Sequence, residues 1–260
     1  MTQSALVKTG LSDQIMTITL SNPSARNSLS SEMMSALQTA FDAAGNDPAV
    51  RVVVLAAEGP AFCAGHDLKQ MRANQNEAFA KALFSQCAAL MLSIVRLPKP
   101  VIARVHATAT AAGCQLVASC DLAIASTHAR FATPGVNIGL FCHTPMVALS
   151  RNVANKHAME MLLTGDLVSA DDAMRIGLVN RVVEDHNLDT TVLDFALKIA
   201  SKSSHTLKVG KEAFYRQAEM TVDDAYAYAS EVMTQNLLAR DAVEGIDAFV
   251  SKREPVWEDR

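Results

Sequence analysis

The chain has 260 residues, half of them hydrophobic and 19% charged, with a formal net charge of −4. That length buries a sizeable core, either as one large domain or as a core with an appendage. A slightly negative balance excludes nucleic acid and anionic membrane as general partners, because both select basic surfaces. No uninterrupted apolar run is long enough to span a bilayer, so no membrane partner is expected. Met1 to Gly10 carries neither a signal peptide's apolar core nor the arginines of a transit sequence, and a cytoplasmic location is expected. Five cysteines (Cys63, Cys87, Cys114, Cys120, Cys142) form no Cys-x-x-Cys pair. An odd count in a long chain points to buried free thiols rather than disulfides or zinc.

Residues 6–8 and 15–20 read as two strands joined by a turn at 11–14, with loop at 22–27. Ser30 is placed to cap a helix with Glu32 in its first turn. Met33, Leu37, Phe41 and Ala44 share one face, and Asn46-Asp47-Pro48 stops it. The β-branched run at 50–57 predicts a strand buried on both faces. A small-residue turn at 59–69 follows directly. A helix from about 76 to 97 then carries Phe79, Leu83, Cys87, Leu90 and Ile94 on one side until Pro98 and Pro100 break it. Strands alternating with helices indicate an α/β fold with a parallel sheet of βα units.

Residues 101–145 carry the strongest chemical signal. Val101-Ile102-Ala103 is a short buried strand after Pro100, small residues fill 107–113, and Cys114-Gln115-Leu116-Val117-Ala118 opens an apolar helix. A strand, a tight turn and a helix start place free backbone N–H groups in one spot, and the helix dipole adds partial positive charge. Small side chains let a ligand approach that backbone. Such a place suits an anion, or an oxygen that becomes anionic during reaction.

Beyond it, 147–163 reads as helix, Thr164-Gly165 as a turn, and Ser169 as the start of a short helix with Asp171-Asp172 in its first turn. A last strand is expected at 176–183. From 187 onward the pattern is helical, with Leu193, Leu197, Leu207 and Phe214 at helical spacing and further helices over 222–238 and 242–250. Terminal helices without strands suit packing against another subunit. No internal repeat, linker or low-complexity segment is present.

The two small-residue turns resemble the crotonase family, the enoyl-CoA hydratase/isomerase superfamily. The resemblance rests on Ala61-Phe62-Cys63-Ala64-Gly65-His66-Asp67-Leu68-Lys69 and Ala112-Gly113-Cys114-Gln115-Leu116. It continues through Cys120-Asp121-Leu122-Ala123-Ile124-Ala125, Met159 to Gly165, Ile176-Gly177-Leu178-Val179 and Ala248 to Arg253, so it covers almost the whole chain. It implies a crotonase-like spiral of ββα repeats over residues 1–200 and a C-terminal helical oligomerisation region over 201–260, assembled as a homotrimer or hexamer. It implies an acyl-CoA thioester as ligand, with no cofactor besides the coenzyme A of the substrate. The thioester oxygen would be held by the backbone N–H groups of His66 and Ala112 while an enolate forms. Alanine stands at 112 where the family usually has glycine, which keeps the donor but narrows the channel. Ala64, Asp67 and Leu68 would line the ligand. Lys69 would reach the coenzyme A phosphates, as would Lys252 or Arg253 from a neighbouring chain.

The sequence departs from the family pattern at both acid–base positions. Hydratases of this family use two glutamates to position water and move its protons; here Gln115 and Gly135 stand in their places. An amide is no base near neutral pH, and glycine offers no side chain. A positioned acid or base is worth roughly 10²–10⁴ in rate, so very slow hydration is expected. His66, in a Gly-His-Asp that also resembles methylmalonyl-CoA decarboxylase, and His143 are the replacements to weigh, since an imidazole works near neutral pH. Either could equally be structural or solvent-facing. Three functions follow: an atypical hydratase/isomerase, a malonyl-type CoA decarboxylase using His66, or a non-catalytic acyl-CoA-binding protein. His106, His128, His157, His186 and His205 have no partner that suggests a site. Asp67 and Asp121 read as turn and cap residues, and Met33, Met34, Met159 and Met161 as core. No Gly-x-Ser-x-Gly elbow, phosphate loop or Gly-x-Gly-x-x-Gly occurs.

Overall fold

Val7–Ser12 (β1) and Ile15–Leu20 (β2) pair antiparallel through a two-residue turn at Asp13 and Gln14. Both turn residues are left-handed, at φ 52° and 64°, the conformation whose twist matches the flanking strands. The turn is therefore tighter than the expected 11–14, and β1 runs on to Ser12. The computed structural model describes residues 5–260; the first residues of the stretch searched for targeting signals, Met1 to Ser4, lie outside the described residues.

A short 3-10 turn at Pro23–Ala25 leads to Ser31–Asn46 (α1), capped as expected by Ser30, whose hydroxyl accepts the Met33 N–H at 3.2 Å. A repeated unit then builds the spiral. Val52–Ala57 (β3) is followed by Ala61–Cys63 (β4), then by Leu68–Ala73 (α2) and Glu77–Arg96 (α3). Val101–Val105 (β5) is followed by Thr108–Thr110 (β6) and Ala112–Ser119 (α4). Leu122–Ser126 (β7) is followed by Arg130–Ala132 (β8), a 3-10 turn at Pro134–Ile138 and His143–Leu149 (α5). The first strand of each unit joins one sheet, ordered β1-β2-β3-β5-β7 and closed by Arg181–Val183, the last strand; the second joins a smaller sheet, β4-β6-β8, closed antiparallel by Val168–Ser169 (β9). Numbered in order, Arg181–Val183 is β10. The fold is the α/β spiral of ββα repeats that the resemblance implied.

Three expectations shift. The small-residue turns at 59–69 and 107–113 contain the short strands β4 and β6, and the first also runs into α2. The helix expected over 147–163 is broken into α5 and Asn155–Thr164 (α6). In the gap the Asn152 side chain donates to Ala118 O and Ala148 O, both at 2.8 Å, and draws the chain out of helix. The last strand keeps only β10, because 176–180 form the turn after Ala170–Arg175 (α7), with Gly177 at φ 89°.

Every residue of β3 is buried, as its unbroken apolar run predicted. One face of the large sheet packs on α1, α3 and α4; the other, through Val54, Ile102 and Ile124, packs on Leu188, Val192 and Ala196 of Asp185–Ala200 (α8). Helix α3 is long and apolar enough to cross a membrane by length and composition, yet Leu83, Cys87, Leu90 and Ile94 pack it into this core. All five cysteines are free and buried. Met33, Met34 and Met161 are core as expected, whereas Met159 is 45% exposed, on the outer side of α6.

Ser204–Gln217 (α9), Val222–Leu237 (α10) and Arg240–Val250 (α11) follow α8. Helix α9 is fastened to the spiral by one buried network. The Lys211 ammonium donates to Asp121 Oδ2 at 2.7 Å and to Ile94 O and Lys99 O, both at 3.0 Å. The Tyr215 hydroxyl donates to Asp121 Oδ1 at 2.9 Å, and Val101 N–H takes Oδ2 at 2.7 Å. Burial lowers the Lys211 pKa from its ordinary value, and Asp121 opposes that shift. Asp121 is thus structural, as expected. Replacing it (Asp121→Ala) leaves a buried ammonium without its counter-charge, which costs about 3 kcal/mol or more. A thermal melt should show a clear loss; a shift within error would mean that the network is incidental.

Candidate functional site

Strands β4, β6 and β8 are parallel neighbours, so the tight turns after them emerge side by side at one sheet edge, the usual place for a ligand in α/β folds. The first turn, 64–67, is also gripped from the loop before α1. Ala64 N–H donates to Arg26 O at 3.1 Å, Leu29 N–H to Gly65 O at 2.8 Å and Asp67 N–H to Leu29 O at 3.4 Å. Asn27, fully buried and left-handed, donates from its side chain to Glu58 O and Ala61 O. The role of this loop was not legible in the sequence, where it read only as a connection.

The second turn is pressed against the first. A Cβ on Gly113 would lie 2.1 Å from Cys63 O, and one on Gly65 would lie 3.4 Å from Ala112 N and 2.9 Å from Ala111 Cβ. The two backbones therefore meet only because both positions are glycine. Among the described residues neither the His66 N–H nor the Ala112 N–H has an acceptor. Ala111, at the head of α4, provides no side-chain cap and sits at φ 51°, ψ −119°, a region almost reserved for glycine. Strain and missing cap together leave uncommitted donors at the positive end of a helix.

The buried side chains beside the turns are neutral types. Gln115 is buried, and its Oε1 lies 3.9 Å from the Cys87 thiol. Burial pushes the Cys63 and Cys114 thiols up to about 12 and Cys87 up to about 11, so none supplies a thiolate near neutral pH. His66 donates from Nδ1 to Leu29 O at 3.3 Å and stands edge-on to Phe84, with ring centroids 5.7 Å apart. Its Nε2 is buried with no partner among the described residues, and burial lowers its pKa. Phe84 and Cys87 are one turn apart on α3, so His66 and Gln115 face the same stretch of that helix.

Other expected site residues are placed differently. Gly135 is buried, and a Cβ there would lie 2.7 Å from Leu140 O and 3.0 Å from Cys142 Sγ, so residues 140–142 occupy the space a side chain would need. His143 opens α5 on the surface, its ring 5.2 Å from Phe141 rather than against His66 or Gln115. Asp67 caps α2 by accepting from Lys69 N and Gln70 N, which makes it structural. Ala64, Leu68 and Lys69 are exposed beside the turn, and Lys69 has no ion-pair partner among the described residues. Lys252 is exposed and left-handed. Arg253 is not free: both guanidinium ends hold Glu244, at 2.6 and 2.8 Å. A cleft of about 400 Å³ lies away from these turns, between β2, β3, β5 and α8, where Arg104 pairs with Asp189.

A family model described as enoyl-CoA hydratase/isomerase matches residues 10–260. The chain belongs to the enoyl-CoA hydratase/isomerase family. The Xenopus laevis protein named enoyl-CoA hydratase domain-containing protein 3, mitochondrial, is 49% identical over 243 residues, 94% of this chain and 83% of that one. The solved structure of an enoyl-CoA hydratase of Mycobacterium smegmatis superposes with a TM-score of 0.96 at 52% identity, covering 98% of this chain and 99% of that one. Human enoyl-CoA hydratase domain-containing protein 3 superposes with a TM-score of 0.95 at 45% identity, covering 97% and 100%.

The glycine contact gives a paired prediction. Gly113→Ala gains up to about 1 kcal/mol of helix propensity but drives a methyl into a carbonyl, and overpacking costs about 1–3 kcal/mol or more; the clash wins. Ala111→Gly relieves strain of about 1–3 kcal/mol against an entropic cost of about 0.5–1. Denaturant melts should show the first variant destabilised and the second more stable than wild type.

Proposed function

We propose that the protein binds an acyl-CoA thioester with its carbonyl oxygen on the N–H groups of His66 and Ala112, and that it turns over enoyl-CoA slowly or not at all. The observation that carries this reading is the pair of uncommitted donors, drawn together by glycine contacts at the positive end of α4. Such donors stabilise the oxygen as it gains charge, and losing one in a comparable site costs roughly 10²–10³ in rate. Hydration or isomerisation through that enolate also needs a group that accepts a proton. Gln115 does not, and nothing replaces it at 135, where the chain at 140–142 fills the space.

Lys69 is the cation placed to meet coenzyme A phosphates from the same chain. Lys252 is the one to do so from a neighbour, because Arg253 is bound to Glu244. Assembly is supported by the C-terminal region, residues 201–260. Apart from the Lys211 and Tyr215 anchor, α9 and α10 bury little, and Phe214, Tyr226, Met233, Leu238, Phe249 and Val250 are largely exposed. An apolar surface of this kind is covered in a stable protein, and a trimer or hexamer covers it.

Two measurements test the reading. Butyryl-CoA at about 100 times its Kd should stabilise the protein by about 2.7 kcal/mol, seen as a saturable rise in Tm. Crotonyl-CoA hydration should run at least about 10²-fold below that of a two-glutamate relative; turnover at a relative's rate would overturn the assignment of Gln115 and Gly135. For assembly, light scattering should give three or six times the 27.8 kDa protomer mass, and Phe249→Asp should release protomers. A wild-type monomer would refute the trimer.

A further inference from the structure

His66 carries a feature that the backbone role leaves unused. Its Nδ1 faces a carbonyl, Leu29 O, which only accepts; the ring must therefore donate from Nδ1. In the neutral ring Nε2 is then an acceptor, and it is buried without a partner among the described residues. An orphaned buried acceptor is costly, so a ligand group that donates to it recovers free energy the empty site lacks. Because imidazole and backbone N–H belong to one residue, Nε2 reaches groups close to a thioester carbonyl held at that N–H, on the first carbons of the acyl chain. The atom has no free surface, so the ligand must displace a neighbour; Phe84, packed edge-on and 38% exposed, has room to swing.

We propose that the His66 imidazole is a specificity-determining group that selects an acyl-CoA bearing a hydroxyl on C2 or C3 over one bearing a carboxylate. A hydroxyl donates to Nε2 and accepts from the Gln115 amide, whose NH₂ has no partner among the described residues. A carboxylate presents lone pairs to a lone pair. It fits only a protonated ring, and burial disfavours that form. The malonyl-type alternative therefore loses the group it would depend on.

This rests on the acyl-CoA reading above, and one titration series separates the two. Wild-type protein is titrated at pH 7.5 with butyryl-CoA, 2- and 3-hydroxybutyryl-CoA and malonyl-CoA, by calorimetry. One hydroxybutyryl thioester should bind roughly fivefold or more tighter than butyryl-CoA, as one hydrogen bond to an orphaned acceptor implies, and malonyl-CoA should bind weakest. In His66→Leu the hydroxyl preference should fall to about one. Equal binding of hydroxylated and plain thioesters, tightest binding of malonyl-CoA, or a preference surviving in His66→Leu would each overturn the inference while leaving the acyl-CoA reading intact. No binding of any thioester would overturn both. The wild-type ranking decides even if His66→Leu does not fold.

Discussion

The site exists because two backbones touch where side chains are absent. Gly113 puts the first turn of α4 directly on Cys63 O, and Gly65 bends the neighbouring turn onto Ala112. Any other residue at 113 would push α4 off the end of β4 and separate the two donors. The parallel pairing β4–β6–β8 fixes the turns laterally, and the loop at 26–29 holds the first from its other side. The strained Ala111 is the cost of the same geometry, since the chain must reverse sharply to start α4 at that point.

The other end of α4 is tied just as firmly. Asp121, two residues beyond that helix, receives Val101 N–H from β5 and both Lys211 and Tyr215 from α9. The C-terminal helices thus register against the same segment that presents the donors. Arg51–Asp259 and the bond from Trp257 Nε1 to Ser201 O add fastenings at the chain end. A partner subunit docking on the exposed faces of α10 and α11 would act on a region coupled to the site through ordinary contacts, with no long-range device required.

Much of the scaffold was legible because local chemistry decided it. Ser30 and Ser169 cap the helices they were expected to cap, and the unbroken run of β3 is buried on both faces. The three-residue strands β4 and β6 were hidden because they are too short to show alternation and lie inside stretches rich in small residues. The break between α5 and α6 depends on Asn152 reaching Ala118, a contact no periodicity encodes. At the candidate site, the resemblance named His66, Ala112 and Gln115, and what could not be read was their setting: Gln115 is buried. The left-handed Ala111 was invisible because alanine argues against that conformation. The steric need for Gly135 depends on a loop that folds back five residues later, and Arg253 looked free until Glu244 came beside it.

Charge explains why the neutral replacements are self-consistent. A glutamate at 115 would be buried beside the Cys87 thiol, and desolvation would hold it towards the protonated form. Keeping such a group ionised costs several kcal/mol unless further donors pair with it. Here burial disfavours the charged forms of Cys87 and His66, Gln115 carries no charge, and the head of α4 with its N–H groups supplies a positive field. Under the proposed function, such a pocket would polarise a thioester carbonyl but would have nowhere to send a proton. On the proposed reading, binding and catalysis separate: a field that draws in a carbonyl oxygen needs no carboxylate, whereas hydration does.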